Sequence, residues 1–143
     1  MPQVMPATTA GAVTRAPAVL LRLEGLAMFG GALLAYAALG QGWWLFAALI
    51  LAPDLSMLGY LAGPAVGARL YNAFHTYVAP AVLAACAYLL AEPLGGAIAA
   101  IWVAHIGLDR ALGYGLKYPE GFAHTHLGRL GRDTVPQDRP PAD

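Results

Sequence analysis

The sequence predicts an all-α polytopic membrane protein, a bundle of four transmembrane helices with both termini in the cytoplasm. Three observations predict it. Of 143 residues, 59% are hydrophobic and only 11% are charged, whereas a water-soluble domain carries about 25% charged residues. Small or polar breaks at Gly40–Gly42, Gly63–Gly67 and Glu92–Pro93 divide the apolar sequence into four stretches, each close to the ~20 residues a membrane helix needs. Finally, Arg15, Arg22, Arg69, Arg110, Lys117, Arg129, Arg132 and Arg139 fall on the tails, the middle connection or the adjoining helix ends. The first and third connections carry no Lys or Arg, so the positive-inside rule places them across the membrane from the termini.

Met1–Pro17 has three prolines and no amphipathic period, as expected of a disordered tail. The first helix is expected over 19–39. Ala35-Tyr36-Ala37 has the look of a signal-peptidase site, but the run is too long for a signal peptide and contains Arg22 and Glu24, which favours a retained anchor. Gly40-Gln41-Gly42 makes a short turn, and Trp43-Trp44 supplies an interfacial anchor. The second helix is expected over 43–61, with Pro53-Asp54 inside it. Gly59, Gly63 and Gly67 follow at intervals of four, and Pro64 marks the turn. Spaced glycines permit close helix contact, although beside a proline they more often serve the turn itself. The third helix is expected over 68–90, holding Tyr71, Asn72, His75 and Pro80, and the fourth over 94–118. Residues 119–143 form a polar cytoplasmic tail. Cys86 has no second cysteine to pair with and is expected to fill a helix interface.

The net charge is zero, so no basic field points to nucleic acid. The informative residues are ionisable groups inside the spans, where charge is costly and usually serves function. His105 and Asp109, four residues apart, share a helix face. At 1.5 Å per residue, Asp54, His75 and Asp109 lie roughly 10 Å from the cytoplasmic ends of their helices, His105 roughly 18 Å and Glu24 roughly 8 Å. Pro53 and Pro80 leave the carbonyls of Leu49 and Thr76 without helical donors, which suits a small polar cavity facing the cytoplasm. Asp54, His75, His105 and Asp109 make a mixed oxygen and nitrogen set, fit for Zn²⁺, Mn²⁺ or Fe²⁺ rather than Ca²⁺. Glu24 would act as a base or as a partner to the ligands. Asn72 and His126 are further polar candidates. His126, from His124-Thr125-His126, either completes the cavity mouth or stands in a loop without a partner. Arg22, Arg110 and Lys117 are expected to snorkel, with Tyr114 packed on the stem of Arg110. Tyr36, Tyr60, Tyr77 and Tyr118 are expected to pack or to sit at the interface.

These residues support three functional classes. A metal-dependent hydrolase would act on a lipid-borne or amphipathic substrate. A proton-coupled carrier or proton pathway would use the same carboxylates and imidazoles as a relay. In a structural or assembly subunit, the His–Asp pairs would only fasten helices. No G-x-S-x-G, Walker or H-E-x-x-H motif is present. The expected surroundings are the bilayer of a bacterial inner membrane, and a homo-oligomer is compatible with such a bundle.

Five segments in order, Leu23-Glu24-Gly25, Ala52-Pro53-Asp54-Leu55-Ser56-Met57-Leu58-Gly59-Tyr60, Tyr71-Asn72-x-x-His75-Thr76-Tyr77, His105 to Tyr118 and Thr125-His126-Leu127-Gly128, resemble the bacterial membrane family catalogued as domain of unknown function 4260. The resemblance covers about Leu20 to Arg132 and implies four membrane helices without assigning an activity. Pro53-Asp54, His75 and His105-x-x-x-Asp109 are also similar to inner-membrane metal-dependent hydrolases described as LexA-binding. That likeness implies metal ligation by Asp54, His75, His105 and Asp109. Ser56 and Tyr71 stand where that family has a second Asp and an earlier His, which argues against a two-metal centre.

Overall fold

The computed structural model describes residues 16–119 and 123–129. The expected tails, 1–17 and 119–143, therefore lie for the most part outside the described residues. The chain runs through α1 (Ala16–Ala38), α2 (Trp43–Leu49), a 3-10 helix (Ala52–Ala62), α3 (Pro64–Phe74), α4 (Val78–Leu89) and α5 (Pro93–Leu112). Two short antiparallel strands follow, β1 (His124–Thr125) and β2 (Gly128–Arg129). α1 and the α2–3-10 arm are long and apolar enough to cross a membrane. Their outer faces are unshielded: Leu34 is 75% exposed and Leu61 88%.

α5 is the central element, packed against α1 and α4 and touching α2. The α1–α5 crossing is a backbone-to-backbone contact. A Cβ on Gly107 would lie 2.7 Å from the Phe29 nitrogen and 2.8 Å from the Gly25 carbonyl oxygen, and one on Gly25 would lie 2.8 Å from the Gly107 oxygen. Small residues allow this approach where apolar side chains would hold the helices apart. Near the other end of α1, Tyr36 is fully buried with Ala97 and Ile101. Its hydroxyl donates to the Gly42 carbonyl at 2.8 Å, and its ring meets Trp43 and Phe46. The Gly40–Gly42 turn is thereby held from inside.

Departures from the expected helices follow from proline and glycine. The third helix begins at Pro64 rather than Ala68, because proline is favoured at a first helical position, where its missing N–H has no partner to lose. The spaced glycines serve turn and contact together. Gly63 has φ 113°, a Cβ on Gly59 would meet Leu70, and one on Gly67 would strike the Tyr60 ring. α3 consequently lies close against the 3-10 helix. The expected continuous helix 68–90 is interrupted at residues 75–77. Pro80 then occupies the third residue of α4, inside the first turn, where no intrahelical bond is required of it. Carbonyls freed by the break are taken by α5: Trp102 Nε1 donates to Phe74 at 2.7 Å and Arg110 Nη2 donates to His75 at 2.8 Å.

The fourth helix stops at Leu112 rather than Tyr118. Gly113 has φ 95°, its N–H donates to Arg110, and the Tyr114 N–H donates to Asp109 at 2.7 Å. This is the Schellman ending that a left-handed glycine permits. Beyond it the chain folds back, and Lys117 bridges to Thr125. Cys86 is exposed; the lone thiol points away from the helix interfaces it was expected to fill.

Candidate metal centre

Four side chains from three elements meet where the 3-10 helix, the α3–α4 break and α5 come together. Asp54 is the third residue of the 3-10 helix, placed by Pro53 at its start. His75 ends α3, and His105 and Asp109 lie one turn apart on α5. Helical side chains lean toward the N-terminus, so Asp109 leans back over His105. One ligand atom from each residue lies within 4.8 Å of the other three. Both histidines are buried, His75 at 1% and His105 at 3%. Asp54 and Asp109 are partly exposed on the open side.

The spacing has a chemical meaning. His75 Nε2 lies 3.1 Å from His105 Nε2, 3.3 Å from Asp54 Oδ1 and 3.5 Å from Asp109 Oδ2. His105 Nε2 lies 3.4 Å from Asp54 Oδ1 and 3.7 Å from Asp109 Oδ2. A tetrahedral ion with bonds of about 2.0–2.1 Å separates its ligand atoms by about 1.63 times that length, roughly 3.3–3.4 Å. Five of the six edges, at 3.1–3.7 Å, bracket this value, and the sixth, between Asp54 and Asp109, lies within 4.8 Å. The tautomer agrees as well. His75 Nδ1 lies 2.9 Å from the Tyr71 carbonyl, to which only an Nδ1–H can donate, so a neutral ring turns the lone pair of Nε2 toward the other three. Two bare imidazole nitrogens at 3.1 Å repel unless a proton or a cation lies between them. The cluster can hold a metal ion.

The surrounding residues fix the ligands. The Tyr71 hydroxyl donates to Asp109 Oδ2 at 3.3 Å, and its ring stacks on His75 with centroids 3.7 Å apart. The Asn72 side chain binds both backbone groups of Lys117, donating from Nδ2 to its carbonyl at 2.8 Å and accepting its N–H at 2.7 Å. Asn72 is therefore a clamp on the returning chain. Asp54, Met57, Tyr71, Asp109, Tyr114 and Lys117 line a cleft of about 280 Å³ on the open side of the cluster.

Other expected site residues go elsewhere. Glu24 is not part of the cluster; it is exposed on α1 and lines a separate cavity of about 520 Å³ with Tyr77, Arg110 and His126. α1 meets α5 at Gly107, about half a turn round the helix from His105 and Asp109. His126 has a partner, since its Nδ1 accepts the Leu116 N–H at 2.8 Å. It ties down the loop without entering the cluster. Burial, followed by the positive charge of Arg110, holds its pKa below the ordinary imidazole value of 6.5. Two residues expected to snorkel point inward instead. Arg110 donates to the carbonyls of His75 and Tyr114, and Lys117 is 4% exposed with Nζ 5.1 Å from the centre of the Tyr71 ring. The visible signal was Gly113: a helix ended there turns Lys117 back over the site. In the sequence Tyr71 reads as a polar span residue standing where the likened hydrolases have a histidine; its hydroxyl contact with Asp109 depends on the depth of α5 beside α3.

No curated protein and no solved structure matches the chain significantly, so the fainter likeness to the LexA-binding hydrolases gains no support from a relative. A family model does match, over residues 18–130, and it spans all four ligand candidates and the Asn72–Lys117 clamp. The chain belongs to the family described as Domain of unknown function (DUF4260).

Proposed function

We propose that this is a four-span inner-membrane protein that binds one divalent transition metal, Zn²⁺, Mn²⁺ or Fe²⁺, through Asp54, His75, His105 and Asp109, and hydrolyses an amphipathic or lipid-borne substrate. The observation that carries the metal is that four ligand atoms lie within 4.8 Å of one another, with five of their separations bracketing the edge of about 3.3–3.4 Å that a tetrahedral ion requires. Segment lengths support the spans. At 1.5 Å per α-helical residue and 2.0 Å per 3-10 residue, α1, the α2–3-10 arm and α5 each have a length of about 30–35 Å, and α3 and α4 would reach the same length if they run end to end. That suits a hydrocarbon layer of about 30 Å.

When bound, such an ion supplies Lewis acidity and lowers the pKa of a water. The chain's own residues determine access to it. His75 and His105 form the buried wall, while Asp54 and Asp109 face the cleft. Among the described residues, the cleft is the open side from which a further ligand would enter. Tyr71 orients Asp109 and stacks on His75, so both ligands are held before metal arrives.

The hydrolase reading is tested on purified protein in detergent, with amphipathic ester and phosphoester substrates. Hydrolysis should vanish with a chelator, return with one of the three metals, and be absent in His105→Ala. A metal-loaded protein that hydrolyses none of them would contradict the reading. A second reading rests on the 3.1 Å contact between His75 and His105, a path by which a proton could pass between Asp54 and Asp109. Proton uptake by liposomes containing metal-free protein would favour it.

A further inference from the structure

We infer that the cleft beside the cluster receives an oxyanion, a phosphoryl or carboxylate group, with Lys117 as its recognising cation. This rests on the metal reading above and names the substrate class for that same site. Charge is the first argument. Asp54, Asp109 and Lys117 line the cleft, and the Arg110 guanidinium stands behind it on the carbonyls of His75 and Tyr114. The two carboxylates that would offset a divalent ion thus already stand beside a lysine and an arginine. A divalent ion held by the carboxylates and neutral imidazoles leaves the site net positive, and an anion restores the balance. In surroundings of low dielectric such a preference is strong.

Position is the second argument. Lysines near helix ends usually extend toward water, yet Lys117 is 4% exposed. Three features fix it: the Asn72 clamp on its backbone, the bridge to Thr125, and the Tyr71 ring beneath its ammonium. Tyr71 also donates to Asp109, so one side chain sets both the cation and a metal ligand. Ammonium and metal would then bind different oxygens of one group. Size is the third argument. At about 280 Å³ the cleft falls at the lower limit of small-molecule sites, enough for a compact headgroup. An apolar cavity of about 210 Å³, lined by Leu49, Pro53, Phe74, Ile101 and Trp102 among others, flanks the chain neighbours of Asp54 and His75. It offers a place for hydrocarbon attached to that headgroup.

The test uses the full chain loaded with Co²⁺, whose visible spectrum reports the coordination shell. Inorganic phosphate is titrated in one arm, and nanodiscs with or without phosphatidic acid are compared in the other. Each anion should shift the Co²⁺ spectrum saturably in wild type. Lys117→Gln should weaken that binding by roughly tenfold to a hundredfold, the worth of a charge-assisted hydrogen bond. Lys117→Arg should retain most of it. An unaltered anion-free spectrum in the variants shows that the site itself is intact. Tighter binding in the phosphatidic acid arm assigns the anion to a lipid, and equal binding assigns it to a free phosphate; both sustain the inference. A tetrahedral Co²⁺ spectrum that no anion shifts would overturn the inference and leave the metal reading standing, as would equal affinity in Lys117→Gln. Failure to bind Co²⁺ would overturn both.

Discussion

Replacing Asn72 with alanine probes the joint between the helices and the chain that covers the site. The Asn72 amide satisfies both the N–H and the carbonyl of Lys117, at 2.7 and 2.8 Å, from a position far away in sequence. Alanine leaves two backbone groups of a buried residue without these partners. An orphaned buried group costs about 1–3 kcal/mol, less where water reaches it. The two together give about 2–4 kcal/mol. This falls on local opening, because α3 and the cluster keep their own contacts. Each 1.4 kcal/mol is tenfold, so the open population should rise about 30- to 1000-fold. Hydrogen exchange of the 113–119 segment, measured by mass spectrometry in detergent, should accelerate by that factor while α5 exchanges as before. Asn72→Asp should rescue only part of the loss, since it keeps an acceptor for the N–H but turns a carboxylate oxygen toward the carbonyl. Exchange in Asn72→Ala unchanged within about threefold would refute the reasoning.

Tyr71→Phe keeps the ring on His75 but removes the donor to Asp109; by analogy with other outer partners of metal ligands it should weaken metal affinity about 10- to 100-fold in chelator competition, with folding unchanged. Gly107→Ala gains about 1 kcal/mol of helix propensity but drives a Cβ to 2.7 Å from the Phe29 nitrogen. Backbone cannot turn aside as a side chain can, so the overpacking cost should reach or exceed about 3 kcal/mol and lower the midpoint of thermal unfolding; Gly30→Ala, with open space around it, should not lower it. Acid should release the loop held by His126. A folded-state pKa below 6.5 means that the unfolded loop binds more protons. The contribution of His126 is then fully present above 6.5 and is lost as pH falls through the folded value. Proteolysis of the loop should accelerate over that window in wild type and not in His126→Gln.

Much of the site was legible in the sequence, and the reasons are particular. Ionisable residues within apolar stretches are few, so Asp54, His75, His105 and Asp109 stood out from their surroundings. Helical spacing joined two of them, and common depth joined the rest. Depth alone also admitted Glu24, because it says nothing about the angle around a helix; packing on α5 sends Glu24 to another cavity. The break at residues 75–77 was foreshadowed by Pro80, but proline signals a lost donor without saying which side of it the helix gives way. Trp102 and Arg110 decide that by capturing the freed carbonyls of Phe74 and His75. The Gly25–Gly107 crossing carried little local signal, since the two glycines lie on helices distant in sequence and only their tertiary approach gives them meaning. Lys117 departs from its expected place because apolar length suggests a helix running to Tyr118, whereas Gly113 ends it and reverses the direction in which the lysine points.

The central claim is that four side chains bind one metal ion, and the most direct measurement is the metal content of the purified, folded protein. Inductively coupled plasma mass spectrometry, run on wild type, His75→Ala, His105→Ala and Asp109→Asn, should find close to one equivalent of Zn, Mn or Fe per wild-type chain. Each variant should retain its helical circular dichroism and carry far less metal. Wild-type protein that holds no stoichiometric metal, and takes up none of the three ions after dialysis against each, would contradict the account; the His–Asp contacts would then be fastenings between helices.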